Sequence, residues 1–257
     1  TSDGEVLPKS YIMEVPGIIL EPVGRIKKKN KGIVALHQHA REFELGKSEV
    51  AGLKVGKGGP DYAYGKELAE KGYTVICFDF LPFEDRQYSH SNVQGYWGER
   101  FVKQECTLDG VELMGSYALD TMAAVSVLEN QGLKDLGIIG HSLGGIVSLY
   151  AMALDERIKA GVINCGVASF DSIRNAPRVH GWSWCVKGMK SQIGELHQLL
   201  ALIQDRPILI SAGTKDTNFP LSGVEQFVSW GRTLYRTPSQ LEMYVFEGEH
   251  SFPSRAR

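Results

Sequence analysis

Residues 137–145 read GIIGHSLGG, and the reading of this stretch decides the fold. A short apolar run ends in Gly140-His141-Ser142-Leu143-Gly144, which fits the pattern G-x-S-x-G. That pattern describes a serine on a sharp strand-to-helix turn, where small neighbours are a steric requirement. The residues that follow, SLGGIVSLYAMALD (142–155), have helical spacing.

Working outward, the same alternation repeats along the chain. Apolar, β-branched runs predict strands at 18–20, 32–37, 73–80, 136–141, 158–166, 206–213 and 241–248. Amphipathic spacing predicts helices at 61–72, 106–132, 142–155, 193–204 and 223–236. A βαβαβα order of this kind means an α/β fold: a mostly parallel central sheet with helices on both faces and no large cap domain. The strand runs are apolar without alternation, as burial on both faces requires. No repeat or Pro/Gly-rich linker interrupts the pattern, so residues 1–257 are expected to form one domain. The basic run Lys27-Lys28-Lys29-Asn30-Lys31 reads as a solvated hairpin turn between the first two strands. Residues 40–60 and 81–105 read as irregular loops on the carboxyl side of the sheet, where open α/β folds bind ligands.

Composition narrows the partners. The chain of 257 residues is 43% hydrophobic, with a formal net charge of −2. That balance offers no global attraction for nucleic acid or anionic lipid, and none of the apolar runs is long enough to span a membrane. None of the four cysteines (Cys77, Cys106, Cys165, Cys185) forms a C-x-x-C pair. Cys77 and Cys165 fall in apolar strand runs and read as buried thiols, which fits a reducing, cytoplasmic setting. A Cys106–Cys185 disulfide stays open, and a chain that does not begin with Met keeps no trace of a removed leader.

A serine hydroxyl becomes a nucleophile only with a base to take its proton and a group to orient that base. Two later strand ends supply them. ILISAGTKDTNFP places Asp216 just past one strand, and MYVFEGEHSFP places His250 just past the next. The order Ser142, Asp216, His250 is that of the Ser–acid–His triads on α/β-hydrolases. Asp171, after the preceding strand, is the rival for the acid. Asp79 reads as a structural residue, and so does His141. His37 and His39 are spaced i, i+2 at a strand end and point to opposite faces, so no metal site is expected there.

On these stretches, together with GIVALHQHA (32–40) and ELAEKGYTVICFDF (67–80), the chain resembles the α/β-hydrolase superfamily, and within it the dienelactone-hydrolase and acyl-esterase branch. The resemblance implies Ser142 as nucleophile, His250 as base and then acid, and Asp216 as its orienting carboxylate. Dienelactone hydrolases often carry cysteine at the elbow, so the serine points toward ordinary esterases acting on small esters of short acyl groups such as acetyl; lactone hydrolysis, amide or peptide cleavage and acyl transfer with the same triad stay open, as does a noncatalytic binding role. The resemblance also implies an oxyanion hole from the backbone N–H of Leu143 and a second N–H from the loop after the strand at 32–37. Related enzymes often carry glycines there; this chain has His37-Gln38-His39, so the second donor is assigned to Gln38, with His39 behind it. No cofactor is implied. Glu84, Asp85 and Arg86 read as a salt-bridged loop anchor, with Arg86 alternatively facing an acidic substrate. His39, Arg86, Trp97 and Trp182 are the expected pocket residues, with Tyr88, Tyr96 and Trp184 as further aromatic candidates.

Overall fold

The computed structural model describes residues 14–87, 95–178, 180 and 183–256. Its frame is a seven-stranded sheet in the order β1-β3-β2-β4-β5-β6-β7. The strands are β1 (Gly17–Leu20), β2 (Lys31–Leu36), β3 (Thr74–Phe78), β4 (Asp135–His141), β5 (Ile158–Asn164), β6 (Ile208–Gly213) and β7 (Leu241–Phe246). All neighbours are parallel except β1, which runs antiparallel to β3.

The helices are α1 (Lys47–Val50), α2 (Tyr64–Glu70), α3 (Gly95–Leu108), α4 (Leu113–Asn130), α5 (Leu143–Leu154), α6 (Phe170–Arg174), α7 (Met189–Gln192), α8 (Leu200–Ile203) and α9 (Leu221–Arg232). They divide between the two faces of the sheet. Val34, Leu36, Ile76, Phe78 and Ile138 point to the larger core, which α4, α5, α8 and α9 cover. Their neighbours Ala35, Val75, Cys77 and Ile139 point to the smaller core, covered by α2 and by Phe252 near the chain end. The alternation within each strand is the period-two geometry of a pleated chain.

Three expectations are corrected. The first two strands form no hairpin: β1 pairs with β3, so the basic run is a crossover rather than a turn between partners. The helix expected over 106–132 is two helices, separated at residues 109–112. Gly110 has φ +73 and the Val111 N–H reaches back to the Cys106 carbonyl at 2.7 Å, a left-handed stop that glycine adopts without strain. Third, much of the stretch 81–105 is helical, because α3 begins at Gly95. All four cysteines are free thiols, so Cys106 and Cys185 form no disulfide; Cys77 and Cys165 are buried as expected. Among the described residues no single helix is long and apolar enough to cross a membrane.

Candidate active site

Ser142 lies between the end of β4 and the start of α5, with φ +54 and ψ −113. Positive φ is unfavourable for a residue with a Cβ, and it persists only where the surroundings enforce it. Here two glycines do so. A Cβ on Gly140 would meet the Gly144 carbonyl oxygen at 2.2 Å, and one on Gly144 would meet the Leu36 carbonyl oxygen at 2.2 Å. The G-x-S-x-G spacing is therefore a packing requirement: strand, turn and the end of β2 touch backbone to backbone. The turn is closed by the Ser142 N–H on the Asn164 carbonyl at 2.9 Å. Ser142 precedes the first turn of α5, so unpaired N–H groups and the positive helix end lie beside its hydroxyl.

Asp216 follows β6 and His250 follows β7. The Asp216 Oδ2 accepts a hydrogen bond from His250 Nδ1 at 2.8 Å. Its Oδ1 accepts the N–H groups of Asn218 at 2.7 Å and Phe219 at 3.1 Å. Burial alone would raise this carboxyl, but the His250 ring and the two backbone donors hold it below the usual carboxylate range. With Nδ1 donating to Asp216, the proton of neutral His250 is on that nitrogen, and Nε2 carries the lone pair. The ring packs against His141, centroids 4.7 Å apart, and stacks on Phe219 at 5.9 Å.

Ser142, Leu143 and His250 line one cavity of about 170 Å³, open to solvent. Its apolar wall comes from Ile146, Tyr96, Trp184 and Phe219; its polar wall includes His39, Glu99 and Asn218. Arg41 and Arg178 stand at exposed positions of the same wall.

The other residues named from the sequence divide sharply. His39 is in the wall. Gln38 is not: it is buried and its side-chain amide donates to Glu49 at 3.1 Å, and that loop lines the cavity through His39, Ala40 and Arg41. Arg86 is also absent from the wall, which corrects its assignment to the pocket. It is 7% exposed, bonds the Asp120 carboxylate at 2.6 Å and the Asp79 carbonyl at 3.0 Å, and acts as a loop anchor. Trp97 is corrected too: it is 66% exposed and meets Tyr96 and Arg100 on the outer side of α3. Trp182 and Tyr88 lie outside the described residues. Asp171 is exposed and pairs with Lys190 at 2.7 Å, away from the cavity. His141 is fully buried, with Nδ1 on the Asn164 side chain at 2.5 Å.

Sequence reasoning missed Glu99, Asn218, Phe219, Arg178 and His180. Glu99 was hidden because 81–105 read as loop, so the face of α3 that it occupies was not visible. Asn218 and Phe219 could have been found from TKDTNFP, since an aspartate commonly binds backbone N–H groups two or three residues ahead. The donor atoms of Cys165, Asp216 and His250 lie within 4.8 Å of one another, as do those of Asp79, Glu84 and Asp85. In the second group the Lys47 ammonium already serves as the cation, 2.6 Å from Asp79 and 2.5 Å from Asp85.

The family model for the dienelactone hydrolase family matches residues 61–257. The chain belongs to the dienelactone hydrolase family. This α/β-hydrolase family places it among enzymes that hydrolyse esters. Among curated proteins it is 26% identical over 237 residues to YtaP of Bacillus subtilis (strain 168), assigned as a hydrolase, covering 86% of this chain and 74% of that one. It is also 26% identical over 201 residues to a carbohydrate esterase, MZ0003, from an unknown prokaryote, covering 68% of this chain and 45% of that one. In fold it resembles the Pyrococcus furiosus esterase Pf2001, with a TM-score of 0.55 at 17% identity over 92% of this chain and 84% of that one. It likewise resembles the Pyrococcus horikoshii acylaminoacyl peptidase, with a TM-score of 0.64 at 17% identity over 94% of this chain. The chain spans only 36% of that peptidase.

Proposed function

We propose that this family member is a serine esterase that cleaves small, short-acyl esters through an acyl-enzyme. The observation that carries the reading is the His250 tautomer. Asp216 holds the proton on Nδ1, which leaves the Nε2 lone pair for a cavity that also contains the strained Ser142. His250 takes the Ser142 proton as Oγ attacks the acyl carbon. The negative charge on the tetrahedral oxygen is met by the Leu143 N–H at the α5 terminus and by a second N–H from the loop after β2. Of the two candidates at the end of β2, His39 lines the cavity and Gln38 does not, which favours the His39 N–H for that second role. The alcohol leaves with the proton from His250, and water deprotonated by the same nitrogen releases the acid. A cavity of about 170 Å³ is below the usual range for ligand pockets, which supports a short acyl group.

Labelling with a fluorophosphonate and mass spectrometry should place the adduct on Ser142. Ser142→Ala should lose the adduct and lower kcat on p-nitrophenyl acetate by about ten-thousand-fold or more. Retained hydrolysis in that variant would refute the proposal. The family's description favours one second reading, lactone hydrolysis with the same triad. A panel pairing lactones with open-chain esters of the same acid separates the two.

A further inference from the structure

Two residues that line the cavity with Ser142 and His250 carry a buried acceptor with no partner among the described residues. The first is on Glu99, on α3, which is 1% exposed. Its Oε2 accepts a hydrogen bond from His39 Nε2 at 2.8 Å. The tautomer follows from the other ring nitrogen: His39 Nδ1 accepts the Arg41 N–H at 3.2 Å, so the proton of the neutral ring is on Nε2. The ring is set edge-on between Phe43 and Phe83, with centroids at 5.1 and 5.4 Å. These contacts fix the Glu99 carboxylate, yet its Oε1 is buried with no partner among the described residues. The second is Asn218, 6% exposed, whose backbone is already committed. Its N–H donates to Asp216 and its carbonyl accepts from His180 Nε2 at 2.8 Å. Its side-chain Oδ1 is buried and also lacks a partner.

A buried acceptor left without a donor costs about 1–3 kcal/mol, and native structures keep few of them. Both side chains belong to residues that line the catalytic cavity, so a molecule bound there is a natural source of the missing donors. An apolar ester leaves both acceptors empty. A cationic substrate would face the guanidinium groups of Arg41 and Arg178 on the same wall. A neutral donor, the hydroxyl group, fits both constraints.

We propose that Glu99, oriented by His39, is a specificity-determining residue that accepts a hydrogen bond from a substrate hydroxyl, with the Asn218 side chain as a second acceptor. The preferred substrates are then short-acyl esters of polyhydroxylated alcohols that keep free hydroxyls next to the ester. The inference rests on the serine-esterase reading above and adds the substrate class to it. It concerns selection among esters, not the bond-breaking step.

The test compares a mono-O-acetyl methyl pentoside with its monodeoxy analogues, each lacking one free hydroxyl. In the wild type at least one deletion should lower kcat/KM by about tenfold or more, because a site built to bond a hydroxyl discriminates strongly against its absence. Glu99→Gln keeps an oxygen for the His39 proton and turns the free oxygen into an amino donor. In that variant the penalty for the same deletion should shrink, because the hydroxyl then accepts from a neutral amide instead of donating to a carboxylate. Glu99→Asp, which withdraws the carboxylate by one methylene, should shrink the same penalty. Taking the ratio within each variant cancels the intrinsic reactivity of the esters, and fluorophosphonate labelling of Ser142 checks that each site is assembled. A labelled wild type that is indifferent to every deletion, or a penalty that persists unchanged in both Glu99 variants, overturns the role of Glu99 and leaves the esterase reading intact. A folded wild type that is neither labelled nor able to cleave any of the esters overturns both.

Discussion

Two histidine–aspartate neighbourhoods sit at the carboxyl edge of this sheet, and their contrast is instructive. His37 and Asp79 follow β2 and β3; His250 and Asp216 follow β7 and β6. In the first, every group is consumed. His37 Nδ1 meets the Gln38 carbonyl at 2.8 Å, and Nε2 accepts the Phe80 N–H at 3.0 Å. Burial drives its pKa to about 4, so the ring stays neutral. Asp79 binds the Lys47 backbone at 2.7 Å and the Lys47 ammonium at 2.6 Å. Burial opposes the Lys47 charge, but the hydrogen bonds it donates to Asp79 and Asp85 outweigh it and raise its pKa above the ordinary lysine value. In the second neighbourhood one ring nitrogen is used and the other has no partner among the described residues, in the wall of the open cavity that Ser142 also lines. The residue types match; what separates an anchor from reactive machinery is whether an atom is left over where a substrate can reach it.

That contrast can be broken at several points. The largest effect belongs to Asp216→Asn: kcat/KM should fall by about a thousand- to ten-thousand-fold, because the amide no longer enforces the His250 tautomer, while the melting temperature moves little. Steady-state kinetics and a thermal scan on the same sample read both. Asp79→Ala should invert the pattern. Removing a fully buried partner of Lys47 should cost about 3 kcal/mol of stability in urea titrations, toward the lower end for buried pairs because Asp85 remains. The variant protein that stays folded should still label at Ser142.

The third effect is a pH dependence. His37 titrates near 6.5 when unfolded and near 4 when folded, so between those values the unfolded chain binds more protons. Its contribution to stability is complete above pH 6.5 and declines as pH falls toward 4, by about 3 kcal/mol at most. Urea midpoints at pH 7.5 and 4.5 should diverge more in the wild type than in His37→Gln. Equal divergence would mean that the ring is not held neutral. The smallest effect is expected at Asp171→Asn, which should leave kcat and the melting temperature unchanged, since that carboxylate is exposed and does not line the cavity. A large loss of kcat there would reassign the triad acid.

Much of this was legible in the chain. The α/β order, the elbow at Ser142 and the strand-end positions of Asp216 and His250 follow from short-range features: apolar runs, glycine spacing and turn residues. The errors cluster where local pattern and partner choice separate. The pairing of β1 with β3 rather than β2 is a choice between two apolar strands that either could satisfy. Arg86 and Trp97 have residue types suited to a pocket, but Arg86 was captured by Asp120 and Trp97 turned outward on α3. Glu99 carries no local signal, because its meaning depends on His39, sixty residues away.

The sequence by itself determined the backbone geometry of the elbow, because Gly140 and Gly144 admit no side chain against neighbouring carbonyls. It also determined which residue types end each strand, since buried parallel strands must be apolar and must stop where they are not. Only the tertiary structure decided which histidine keeps a nitrogen available, which carboxylate is spent on an ammonium, and which loop residue faces the cavity. Those outcomes depend on distances between chain segments far apart in sequence, and hydrogen bonding is decided by such distances to within a few tenths of an ångström.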